Sequence, residues 1–153
     1  MYLLGQIFLY GAGKYSNVVN IEKSLKAFSK AIVYIDADIN SSEDARLLAS
    51  QILYHNGLAT FFISNDCLVV NDFENSEKYL NSALKSFEVS VQLNSENLPA
   101  QYERAKMLHF LKNDELALEV LCDLFETEKS YALKAVNDKN FETIWPQIED
   151  CIK

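Results

Sequence analysis

Proline occurs twice and glycine four times in 153 residues, against usual shares of roughly 5 % and 7 %. The residues that punctuate strands and tight turns are scarce, so helices are favoured before any pattern is read. Basic residues are also in short supply: 14 Lys and Arg stand against 22 Asp and Glu, a net charge of −8. Such a chain repels phosphate backbones and anionic lipid headgroups, and no basic patch offsets this, so neither nucleic acid nor membrane is expected as a partner. The three cysteines, Cys67, Cys122 and Cys151, are odd in number, widely spaced and outside any Cys-x2-Cys arrangement. That usage fits free thiols in a reducing compartment, the cytoplasm, better than a disulfide framework or a zinc site. Long hydrophobic runs are missing too. The apolar start from Tyr2 to Ala12 is too short to span a bilayer and meets its first Lys only at Lys14, the reverse of a signal peptide's order, so it reads as a helix.

What is present is a large apolar fraction, 49 %, including nine Phe and eight Tyr. This is enough for a core without metals or disulfides, and residues 1–153 are expected to form a single globular domain. Ile21, Leu25, Phe28, Ala31, Ile32 and Ile35 recur at spacings of three and four, which collects them on one helical face ending near Asp36. A second helix starts after Ser42, with Glu43 and Asp44 in its first turn, and runs to about Ser64. Asn65 to Asp72 mixes turn formers with Leu68, Val69 and Val70 and is expected to be the longest loop, with Asn71 or Asp72 capping the next helix. That helix carries Tyr79, Leu80, Ala83, Leu84, Phe87 and Val91. Another begins near Leu98, where Pro99 is tolerated in the first turn, and Asn113 and Asp114 separate it from its partner through Phe125. A short helix around Tyr131 to Val136, a turn at Asn137 and Asp138, and a helix restarted at Pro146 complete the chain.

A period lies over these helices. Ala83-x3-Phe87-x2-Ser90 is followed thirty-four residues on by Ala117-x3-Leu121-x2-Leu124, and preceded by Ser24-x3-Phe28-x2-Ala31. Upstream of the three segments stand Leu4-Gly5-x2-Phe8, Leu58-Ala59-x2-Phe62 and Arg104-Ala105-x2-Leu108. Small residues at these positions let helix axes approach closely. The pattern resembles the tetratricopeptide-repeat family, whose unit is a helical hairpin of this period. The resemblance implies an all-α fold of antiparallel hairpins stacked as a short superhelix, with hairpins at about 2–36, 42–94 and 98–126 and capping helices at 129–152. The family's signature Trp is absent, Arg104 stands where Leu is usual, and only the third hairpin has the standard length. The first two need enlarged loops, at Gly11 to Val19 and Asn65 to Asp72. A plain helical bundle satisfies the same amphipathic pattern.

Motifs for chemistry are weak. Gly11-Ala12-Gly13-Lys14 lacks the Gly at Phe8 and the hydroxyl residue at Tyr15 that a phosphate loop needs. Asp36, Asp38 and Asn40 open like a calcium loop, but Ser41 replaces the required Gly and Leu47 the bidentate Glu. His55 and His109 have no metal-ligand spacing and read as helix-surface or groove residues. No catalytic residue, metal ligand or cofactor is expected, and the chain is read as a non-enzyme. The family resemblance implies a scaffold or adaptor whose groove takes a peptide or protein partner, lined at Asn56, Thr60 and Ile63 and at Tyr102, Lys106 and His109. Tyr102 offers contact area there, and Lys106 or His109 a polar handle for an acidic peptide. Alternatives of other classes are a structural protein that forms homodimers through an apolar face such as Leu68 to Val70, and a small-molecule sensor.

Overall fold

Every regular element among the described residues is helical. The structure is a computed structural model and describes residues 1–10, 20–36 and 42–152. The expected loop at 11–19, the motif at 11–14, and Asp38, Asn40 and Ser41 lie outside them. In chain order the elements are α1 (Tyr2–Tyr10), α2 (Ile21–Asp36), α3 (Glu43–Val69), α4 (Phe73–Leu93), α5 (Leu98–Phe110), α6 (Asp114–Thr127), α7 (Ser130–Val136), a 3₁₀ segment (Lys139–Ile144) and α8 (Trp145–Ile152). Contacts group the chain into two compact units, Met1–Asn97 and Leu98–Lys153.

In the first unit, α3 starts on Ser42, whose Oγ accepts the Ala45 amide at 3.1 Å, while Glu43 and Asp44 meet the positive end of the helix dipole. The expected loop at Asn65 to Asp72 is not a loop. The helix continues for 27 residues to Val69, because Asn65 and Asp66 cost a helix surface only a few tenths of a kcal/mol in propensity. The chain turns only at Val70 to Asp72, with Asn71 left-handed at φ 59°, a conformation Asn tolerates. Asp72 then caps α4 by accepting the Asn75 amide at 3.2 Å. The extra residues of the second hairpin lengthen its helices.

Small side chains join α3 to α4. Ser50 Oγ donates to the Ser90 carbonyl at 2.8 Å, and Ser90 Oγ to the Ser50 carbonyl at 2.8 Å; Ser64 Oγ donates to the Ser76 carbonyl at 2.9 Å. The two pairs share one antiparallel register. Asn97 closes the network, its side-chain amide donating to Ser50 Oγ at 3.0 Å and Ser90 Oγ at 3.1 Å. Glycine does the same work at two aromatic rings. A β-carbon on Gly5 would lie 2.5 Å from Phe28 Cε1, so the absent side chain is what lets α1 and α2 approach. Around Phe28 the core gathers Leu9, Ala31, Ile52 and Ala59.

In the second unit, α5 and α6 are joined by a short turn at Leu111 to Asn113, with Lys112 at φ 64°. Leu121, Leu124, Phe141 and Ile148 are fully buried. Pro146 sits in the first turn of α8, where its missing N–H leaves no helical acceptor unpaired. The expectation of three free thiols is corrected here. α8 folds back on α6 and brings Cys151 to a Cα–Cα distance of 5.3 Å from Cys122, and the two form a disulfide. Only Cys67 is free. Sequence spacing carries no trace of this pairing because the two cysteines are 29 positions apart and the chain between them folds into separate elements.

Candidate functional site

Tyr102, Lys106 and His109 lie on one face of α5, as their spacing of four and three requires. All three are buried, at 0 %, 8 % and 7 % exposure, beneath the chain that follows α7. The Tyr102 hydroxyl donates to Asp138 Oδ2 at 2.8 Å. Its ring packs edge-on to Phe141 at 5.7 Å between centroids. Lys106 Nζ donates to Glu103 Oε2 at 3.1 Å and stands 3.5 Å from Asp138 Oδ2. The ammonium expected to meet an acidic peptide is thus already engaged by two carboxylates. Lys134 caps the cluster, its Nζ 4.0 Å from the Tyr102 ring centre.

Electrostatics here follow from burial and pairing. Burial, and then the Asp138 carboxylate that accepts its proton, hold the Tyr102 phenol well above the usual phenol range. Burial pushes the Lys134 ammonium below its ordinary value. Asp138 is held below the usual carboxylate range: burial opposes this, but the Asn140 amide, the Tyr102 hydroxyl and Lys106 together outweigh it. This cluster locks the 3₁₀ segment onto α5.

His109 does the same at the other end of the face. Its Nδ1 is 2.6 Å from Asp114 Oδ1, and a carboxylate only accepts, so Nδ1 carries the proton. Nε2 is then free to accept the Thr143 hydroxyl at 3.3 Å. Acid, imidazole and hydroxyl stand in the order that activates a hydrolase nucleophile, which would also need donors for the developing oxyanion. Here the imidazole is buried and the hydroxyl belongs to an exposed residue, and the line ties α6, α5 and the 3₁₀ segment together.

In the first unit Asn56 and Thr60 are buried at 8 % and 2 % exposure. Asn56 Oδ1 accepts from Ser86 Oγ at 3.2 Å, and Thr60 Oγ1 donates to the Asn56 carbonyl at 2.8 Å. His55, expected at a helix surface or in a groove, is buried, with Tyr2, Tyr10, Phe28 and Tyr54 around its ring at centroid distances of 5.0 to 5.8 Å. Its Nδ1 lies 2.8 Å from the Gln51 carbonyl, which can only accept, so Nε2 is left to accept the Gln6 amide at 3.4 Å. Burial holds the imidazole below its usual pKa.

Ile63 differs from the other five groove candidates, because it is half-exposed and lines a cleft. The cleft measures about 550 Å³ and lies between the start of α2 and the end of α3. Ile21, Ile63 and Val70 give it apolar walls, and Glu22 and Asp66 stand at it as exposed carboxylates. Among the described residues neither carboxylate forms an ion pair. Val70 continues into the α3–α4 turn, where Val69, Val70 and Phe73 are 81 %, 71 % and 65 % exposed.

No family model, curated protein or solved structure matches the chain. A helix ended at Ser64, as the turn formers Asn65 and Asp66 suggest, leaves out the turn that carries Asp66 and Cys67 to the same place as Ile63. A helix continued to Val69 sets Ile63, Asp66, Cys67 and Val70 at spacings of three, one and three, a single stripe that was available from the sequence alone.

Proposed function

We propose that the chain is a tetratricopeptide-like, non-enzymatic interaction module, and that its first unit seats a peptide segment of a partner protein in the cleft between α2 and α3. The observation that carries this reading is the cleft's make-up: apolar Ile21, Ile63 and Val70 beside the carboxylates Glu22 and Asp66, which form no ion pair among the described residues. An apolar side chain fits the walls and a Lys or Arg fits the carboxylates, so the partner segment is basic and apolar. Small residues at the repeat positions, Gly5, Ala59, Ala83, Ala105 and Ala117, support the family reading, and the four alanines are fully buried.

Selection from a displayed library of random peptides tests it. Enrichment of sequences pairing Lys or Arg with a large apolar residue is expected, with binding lost in Ile63→Lys and in Glu22→Lys with Asp66→Lys. Enrichment of acidic peptides, or binding indifferent to these changes, would count against the cleft.

A second reading, self-association, has its own observation. Val33 and Tyr34 on α2 are each 74 % exposed. Light scattering across micromolar concentrations separates it: a steady monomer removes the homodimer, and a dimer abolished by Val33→Glu supports it.

A further inference from the structure

The two cysteines of the Cys122–Cys151 disulfide have different surroundings. Both cysteines are half-exposed, but Cys151 lines a cavity of about 300 Å³ together with Phe125, Glu126, Lys129, Ala132 and Ile152, while Cys122 is not one of its walls. An incoming thiolate must approach in line with the bond it breaks. The cavity leaves room for a thiolate beside Cys151, where apolar Phe125, Ala132 and Ile152 are joined, among the described residues, by the ammonium of Lys129, which attracts the anion, and the carboxylate of Glu126, which opposes it.

We propose that this disulfide is a thiol-exchange site, opened by attack at Cys151, that latches α8 onto α6. The thiolate of a small thiol attacks Cys151 Sγ, the Cys122–Cys151 bond breaks, and Cys122 leaves as a thiolate that takes a proton from water. The product is a mixed disulfide on Cys151. A second thiolate then attacks the incoming sulfur and releases Cys151, so that two electrons pass to the protein and two thiols become one external disulfide. In the oxidised chain α8 is held by this link and by buried Ile148. After reduction only the packing of a short helix remains, and a helix of eight residues has little stability of its own. A reducing cytoplasm would hold the latch open and an oxidising compartment closed.

The test uses the whole chain. Air-oxidised protein is treated with glutathione in the presence of an alkylating agent, digested without reduction, and its peptides are weighed. Glutathione is expected on Cys151 and the alkyl group on Cys122, in roughly tenfold excess over the reverse. Hydrogen exchange is then followed with and without dithiothreitol. Amides of Trp145–Ile152 are expected to exchange at least about tenfold faster after reduction, with α5 and α6 unchanged. Three free thiols in air-oxidised protein, glutathione divided evenly or favouring Cys122, or unchanged α8 exchange would each overturn the proposal. Equal acceleration throughout α5 to α8 would do so as well, because the link would then be a staple of the whole unit.

Discussion

The ring of Phe87 lies against the bare backbone of Gly57 so closely that a β-carbon on Gly57 would stand 2.7 Å from its Cε1. Phe87 is fully buried and its ring has little room to move. Gly57→Ala therefore opposes two effects: alanine gains about 1 kcal/mol in helix propensity, and overpacking costs about 1–3 kcal/mol. The clash wins, and urea unfolding should show a net loss of about 1 kcal/mol. Gly57→Ala combined with Phe87→Leu should lose less than the two changes added separately.

Chemically identical changes at three buried serines should differ in sign. Ser24 Oγ is buried with no hydrogen-bond partner among the described residues, so Ser24→Ala relieves an unsatisfied group and should stabilise by about 1 kcal/mol. Ser50 and Ser90 bond to each other's carbonyls and to Asn97. Ser50→Ala and Ser90→Ala should each destabilise by about 1–2 kcal/mol in the same denaturation assay. Three shifts of one sign would contradict the assigned hydrogen bonds.

The buried ion cluster of the second unit is strongly coupled. Lys106→Met leaves Glu103 and Asp138 without their common cation and should cost about 3–5 kcal/mol. Adding Asp138→Asn to Lys106→Met should recover part of that loss, which a double-mutant cycle measures. Because Asp138 is held below the usual carboxylate range, its contribution is present above the unfolded value near 3.9 and is lost as pH falls through the folded value.

His55 gives the first unit a pH dependence at higher pH. Its folded pKa is lowered by burial, so as pH falls below about 7 the unfolded chain takes up the proton first. Stability is full above the unfolded value near 6.5 and declines as pH falls through the folded value, with a slope of at most about 1.4 kcal/mol per pH unit. Burial raises the Tyr2 phenol above its usual range, so this neighbour of the imidazole stays neutral throughout. Melting between pH 7.5 and 5.5 checks this, and His55→Gln should flatten the profile.

Helix positions were legible in the sequence because buried faces impose spacings of three and four, and caps such as Ser42 and Asp72 mark where helices begin. The end of α3 was not. Asn65 and Asp66 are turn formers by composition, yet a helix surface accepts them, and only the positive φ of Asn71 marks the true reversal. The Phe87 ring lies on the backbone of Gly57, two residues before Ala59, the small position the repeat pattern marks. Of six groove candidates, only Ile63 lines the cleft; the other five are buried, three of them under the 3₁₀ segment and its neighbours. The cysteine pair was hidden because proximity of Cys122 and Cys151 is decided by how α8 docks, which no local pattern encodes.

The central claim is that the cleft between α2 and α3 is where a basic, apolar partner segment binds. Its most direct test is amide chemical-shift mapping of the whole chain with the best peptide from a displayed library. The account expects shifts centred on Asn20 to Glu22 and Ile63 to Val70, abolished by Asp66→Lys. Shifts centred elsewhere, or unaltered by that substitution, would contradict it.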